Sequence, residues 1–128
     1  MNLLLDAHAF LWFVWNDPHL SPAARLAIMN PASKKWLGVG SIWEIAIKVS
    51  VGKLNLGEPV APFMNKVVSA NNFSVLMVGL EHAAAVSTLP FHHRDPFDRL
   101  LVAQAMVENL AIVSADVALD AYHVTRIW

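Results

Sequence analysis

The chain has 128 residues, no cysteine and a formal net charge of −1. That length suits one domain, residues 1–128, with a sizeable core. The missing cysteines exclude a disulfide framework and thiolate metal sites, and the near-neutral charge excludes a nucleic-acid binder that relies on bulk attraction. Hydrophobic residues make up 56%, above the roughly 45–50% of an average domain, so some apolar surface is expected in an interface. No apolar run approaches the ~20 residues of a membrane span. Met1–Asp6 lacks a basic stretch and reaches a charge too early for a signal peptide, so a cytoplasmic location is expected.

In chain order, Asn2–Leu5 reads as a buried strand ending at Asp6. Ala7–Trp15 follows as a helix, stopped by Asn16-Asp17-Pro18. Ser21-Pro22 opens a short helix to about Asn30, with Pro at its first position. Pro31–Lys35 reads as a loop with solvated lysines, and Trp36–Val39 as a second strand. Ser41-x-x-Glu44 fits a capping box, Ser at N-cap and Glu three residues in, opening a helix that runs to Gly52. Leu54–Leu56 is a short strand or turn. Pro62–Ala70 reads as helix, Ser74–Val78 as strand, and Glu81–Leu89 as a short helix ended by Pro90.

His92-His93-Arg94-Asp95-Pro96-Phe97-Asp98-Arg99 is the most polar stretch and runs directly into a helical apolar pattern. Asp95 caps that helix, Pro96 takes the first position, and Asp98 falls in the first turn, where the macrodipole favours an anion. Asn109 closes it in a left-handed conformation. Ala111–Val113 is a strand, Ser114 caps a short helix carrying Asp116 and Asp120, and Val124–Ile127 is the last strand. Strands alternating with helices predict an α/β fold with a mostly parallel sheet covered on both faces.

In such a sheet the working crevice lies at the carboxyl ends of the strands. Asp6, Glu44, Asp98 and Asp116 all fall at strand-to-helix junctions or helix starts, on that edge. Helix capping alone would account for Glu44, Asp98 or Asp116 singly. Asp6 is harder to explain that way. A carboxylate directly after Leu3-Leu4-Leu5 risks burial without a partner, which costs several kcal/mol, and no basic residue is near it in sequence. A divalent cation would supply the partner. Mg²⁺ takes a few carboxylates, keeps several waters and accepts substrate phosphate oxygens, and such ions support in-line phosphodiester cleavage.

With these residues assembled, the chain resembles the PIN-domain ribonucleases, specifically VapC-type toxins of toxin–antitoxin pairs. The likeness rests on Leu4-Leu5-Asp6-Ala7-His8-Ala9-Phe10-Leu11-Trp12, Ser41-Ile42-Trp43-Glu44-Ile45-Ala46-Ile47-Lys48, His93–Ala105 and Val113-Ser114-Ala115-Asp116, in order over nearly the full length. The resemblance implies a three-layer α/β/α sandwich, endonucleolytic cleavage of RNA with Mg²⁺ or Mn²⁺, and a homodimer. It implies Asp6, Glu44 and Asp98 as metal ligands, with Asp116 completing the site directly or through water. It also implies a VapB-like antitoxin covering an apolar groove, for which Trp12, Phe13, Trp15, Trp43 and Ile47 are candidates; core packing is the alternative for each. Two departures stand out. Ala7 takes the place of a common Thr, removing a hydroxyl near the metal, and His123 stands where Gly is frequent.

Arg94 and Arg99 are the candidates for substrate phosphate, because a guanidinium fork suits phosphate oxygens; Arg99 could equally pair with Asp95. His8 reads as a packed or capping histidine, and His92 and His93 as loop residues near phosphate or solvent. Two other functions compete with the nuclease. One is a catalytically weak or inactive module of the same fold that binds an antitoxin or RNA. The other is a phosphoacceptor receiver-type domain, which would want a lysine at a late strand end, where this chain offers only Arg126.

Overall fold

A computed structural model describes all 128 residues. Its centre is a five-stranded sheet in which every pairing is parallel: β1 (Asn2–Leu5), β2 (Lys34–Gly38), β3 (Phe73–Leu76), β4 (Ala111–Val113) and β5 (Arg126–Ile127). The order is β3-β2-β1-β4-β5, so the first strand lies in the middle, held on one side by β2 and on the other by β4. Leu3 and Leu5 point into one core and Leu4 into another, as the two-residue side-chain period requires. All three are fully buried, which is why the strand reads as a continuous apolar run.

The first core lies under α1 (Ala7–Val14), α2 (Pro22–Met29), α3 (Val39–Ser50) and α4 (Val60–Ala70), with Phe10, Ile28, Ile45 and Phe63 packed on Leu37 and Val113. The second lies under α5 (Leu80–Val86), α6 (Pro96–Glu108) and a 3₁₀ turn, Val117–Ala121, with Leu101, Val102 and Leu119 packed on Ile112. The result is the expected three-layer α/β/α sandwich. No helix is long and apolar enough to cross a membrane.

Several boundaries differ from the sequence reading, each for a physical reason. β2 begins at Lys34, inside the expected loop, because Lys34 and Lys35 are in register with Asn2 and Leu3 of the central strand. The Lys35 stem reaches across aromatic faces, its ammonium 5.2 Å from the Phe73 ring centroid, so a charged residue fits beside a core. α3 begins at Val39 and not after Ser41. Gly38 is its N-cap, Ser41 is a buried helical residue, and the expected capping box is absent. α4 and β3 also start early, at Val60 and Phe73, and α5 stops at Val86. Leu54–Leu56 forms no strand, and β5 is only two residues long. The short helix after β4 is a 3₁₀ turn capped by Asp116, not by Ser114.

Candidate metal centre

The carboxyl ends of β1, β2 and β4 meet at one edge of the sheet, and a cleft of about 380 Å³ opens there. Asp6, Glu44, Asp98 and Asp116 all line it, together with Asp95. A larger hollow, about 520 Å³, opens at the other end of the strands and is lined by no carboxylate. The chemistry therefore points to the smaller one.

Each acid is fixed by the way its helix begins. Asp6 ends β1 and caps α1, its Oδ1 accepting the Ala9 N–H at 2.8 Å, while its own N–H donates to Val113 O across the sheet at 3.1 Å. Asp95 caps α6 as expected, one oxygen accepting from the N–H groups of Phe97 at 2.8 Å and Asp98 at 3.3 Å. Pro96 and Asp98 then follow in the first turn, and Asn109 ends the helix at φ 54°. Asp116 caps the 3₁₀ turn through Ala118 N–H at 3.0 Å.

Glu44 is held differently. It lies in the second turn of α3 and pairs with Lys48 one turn on, at 2.9 Å. α3 comes close to α6 because Gly40 has no side chain; a Cβ there would sit 2.8 Å from Leu100 Cδ2. That close approach brings Glu44 towards Asp98.

The crowding shows in the protonation equilibria. Burial pushes the Asp98 carboxyl up to about 7; Asp95, Glu44 and Asp6 push the same way and His93 opposes them. Burial also raises Asp6, against bonds from the Ser114 hydroxyl and Ala9 N–H. Several carboxylates thus share a recess with one lysine, Lys48, as its only Lys or Arg lining. An all-oxygen donor set short of positive charge suits a hard divalent cation.

The sequence reading missed two residues. Ser114 is fully buried beside two acids: its Oγ accepts the Asp116 N–H at 3.1 Å, and its hydroxyl is near enough to Asp6 to oppose the rise of that carboxyl's pKa. Ala7 lines the cleft without a hydroxyl, and Ser114 provides one near Asp6 from just past the end of β4. His93 was expected in a solvated loop. Its Nε2 lies 2.7 Å from Asp116 Oδ2 and 3.2 Å from Asp98 Oδ2, and the three residues form a group compact enough for one cation.

Arg99 requires a correction. It is 6% exposed, and its guanidinium donates to the main-chain carbonyls of Val86, Leu89, Pro90 and His93 at 3.0–3.5 Å. It does not pair with Asp95, and its guanidinium is occupied in holding the loop before α6, away from the cleft lining. Tyr122 helps, donating to Pro90 O at 2.8 Å while accepting the His93 N–H at 3.0 Å. Arg94 is exposed and does not line the cleft. His8 lines the cleft and lies tilted against Trp12, with ring centroids 5.4 Å apart. Of the candidate groove residues, Trp12 and Phe13 pack partly against the core, whereas Trp15, Trp43 and Ile47 are exposed.

Comparison with solved structures finds this fold in VapBC2 from Rickettsia felis bound to a DNA fragment from its promoter. That match has a TM-score of 0.73 and 12% identity, covering 98% of this chain and 97% of the other. VapBC-1 from nontypeable Haemophilus influenzae matches with a TM-score of 0.64 and 14% identity, over 98% and 96% of the two chains. A toxin–antitoxin complex from Klebsiella pneumoniae matches with a TM-score of 0.60 and 10% identity, over 89% and 86%. A sequence comparison with curated proteins finds no match. The family model for the PIN domain matches residues 3–124, from the central strand to beyond the last carboxylate of the cleft, and the chain belongs to the PIN-domain family.

Proposed function

We propose that this protein is a metal-dependent endoribonuclease toxin of the VapC type, held in check by a VapB-like antitoxin and working in the cytoplasm as a homodimer. The observation that carries the reading is that Asp6, Glu44, Asp98 and Asp116 all line one cleft, where burial, helped by Asp95, Glu44 and Asp6, lifts Asp98 to about 7. Membership of the PIN family and the likeness to VapBC complexes support it.

Asp6, Glu44 and Asp98 would hold Mg²⁺ or Mn²⁺, with Asp116 completing the site directly or through water. The ion would supply an acidified water and positive charge for the phosphodiester oxygens. Asp6, Asp95 and Asp116 are fixed by backbone N–H groups, so their carboxylates are oriented before any ligand arrives. Lys48 replaces Arg99 as the phosphate-facing cation: its ammonium lines the cleft and is held there by Glu44. Trp15, just past the end of α1, and Trp43 and Ile47 on α3 offer exposed apolar surface for an antitoxin segment.

The test is cleavage of an RNA pool by the purified chain with Mg²⁺ or Mn²⁺. Cleavage is expected to stop with EDTA and to fall more than 100-fold in Asp6→Asn and Asp98→Asn, beyond what loss of a merely supporting residue costs (about 10–100-fold). Cleavage that survives both substitutions would overturn the nuclease reading. A chain that binds antitoxin but never cuts RNA would favour the inactive-module alternative, which the missing hydroxyl at Ala7 motivates.

A further inference from the structure

His93 does more than occupy the edge of the cleft. Its ring is fixed at both nitrogens. Nδ1 receives the main-chain N–H of Asp95 at 3.1 Å, and Nε2 faces Asp116 and Asp98 at 2.7 and 3.2 Å. A backbone N–H can only donate, so Nδ1 must accept, and the ring proton belongs on Nε2. Moving that proton to Nδ1 would set two donors against each other. Coordination of a cation through Nε2 requires that move. The imidazole is therefore built to donate to the carboxylates, not to bind metal beside them.

Its main chain is equally constrained. The His93 N–H is held by Tyr122 Oη, and its carbonyl accepts from the buried Arg99. The ring is only partly exposed, so the donor is aimed by a rigid support. Asp116 is thereby engaged on both oxygens, Oδ1 by Ala118 N–H and Oδ2 by His93.

We propose that His93 is a positioning residue. Its Nε2–H donates to Asp116 while standing 3.2 Å from Asp98, and so holds the two carboxylates in place to receive a divalent cation, without itself becoming a ligand. The inference rests on the metal-site reading above. Groups that donate to ligating carboxylates typically support metal affinity by 10–100-fold.

Two substitutions separate the ring's two roles. His93→Gln places an amide N–H where Nε2 was and keeps the bond to Asp116. His93→Asn keeps an acceptor near Asp95 but cannot reach the carboxylates. Mn²⁺ binding to the full chain is measured by calorimetry, with thermal melting in EDTA to confirm folding, and ¹⁴N couplings are read by pulsed electron paramagnetic resonance. We expect His93→Asn to bind Mn²⁺ at least tenfold more weakly and His93→Gln to stay within about threefold of wild type. We expect no directly bonded nitrogen in the wild-type spectrum.

Wild-type affinity in a folded His93→Asn would overturn the proposal. So would a directly bonded ¹⁴N that vanishes in His93→Gln. If His93→Asn does not fold, a tenfold loss in His93→Gln overturns it. Failure of wild type to bind Mn²⁺ at all is a different result, and it removes the metal-site reading together with this one.

Discussion

The starts of α3 and α6 look alike in sequence and are built on different principles. Ser41-x-x-Glu44 and Asp95-x-x-Asp98 both read as a capping side chain followed by a carboxylate three residues on. At α6 that is what forms, with Asp95 on two N–H groups and Asp98 in the first turn. At α3 the helix starts earlier, from a glycine with no capping bond, and Glu44 is steadied by Lys48. One carboxylate is thus set by backbone and a buried scaffold, the other by a flexible, partly exposed ion pair. The first is expected to be rigid and sensitive to its support, the second adjustable and tolerant.

The strongest way to break the contrast is to remove the support of α6. Arg99→Met removes a donor from four carbonyls; Pro90 keeps the Tyr122 hydroxyl and Val86 keeps the Leu89 N–H, while those of Leu89 and His93 lose their side-chain donor. Unsatisfied buried acceptors cost about 1–3 kcal/mol each, and partial access to water reduces the sum. A loss of about 3 kcal/mol is expected by urea denaturation, with metal binding weakened in the variant that remains folded. Lys48→Met removes the corresponding support at α3 and should change stability by less than about 1 kcal/mol, as for other half-exposed pairs.

Acidity offers the next test. The folded chain holds a proton on Asp98 far more tightly than the unfolded chain does, with a pKa of about 7 against an ordinary 3.8. Between those values the folded state binds more protons, so stability falls as pH rises through the window. Asp6 is raised too and acts in the same direction. In EDTA the melting temperature should be lower at pH 8 than at pH 5.5. Asp98→Asn should remove most of that difference, and a flat profile in wild type would contradict the burial of these carboxyls beside one another. Divalent-metal affinity should rise over the same range, because the cation must displace the proton.

Lys48 sharpens the contrast in a different measurement. Removing its charge should tighten Mn²⁺ binding severalfold, since a neighbouring cation is gone. It should also weaken RNA binding and reduce the slope of log affinity against log salt by about 1, as for one lost phosphate contact. The two changes have opposite signs, so a general loss of folding cannot imitate them.

The smallest effects distinguish the two caps directly. Asp95→Ala should cost about 1 kcal/mol, the usual worth of an N-cap. Ser41→Ala should stay within about 0.5 kcal/mol, because Ser41 caps nothing. Equal losses at both positions would restore the symmetry that the sequence suggested.

Legibility in the sequence followed the range of the forces. The Asp95-Pro96 start and the Asn109 stop of α6 are local chemistry, and both were readable to the residue. The parallel sheet was readable from the alternation of elements, and the four acids from their places at its edge. The start of α3 was not, because it is fixed by the pairing of β2 with both β1 and β3, which carries the strand through to Gly38. Lys34 and Lys35 hid that strand, since charge suggests a loop when the aromatic rings beneath are far away in sequence. Arg99 looked like a hand for phosphate because nothing in its own helix shows the four carbonyls that occupy it. His93 was undervalued for the same reason: Asp116, one of the two acids it touches, comes from the far end of the chain.

The middle position of β1 sets an order of events during synthesis. Asp6 is made long before Val113, yet its amide is anchored by the Val113 carbonyl. A nascent chain that has not yet delivered residues 111–116 to the sheet lacks both that anchor and Asp116. The acidic recess is thus assembled only once β4 has joined the sheet, and a fragment that stops before residue 111 would leave Asp6 without its cross-strand anchor.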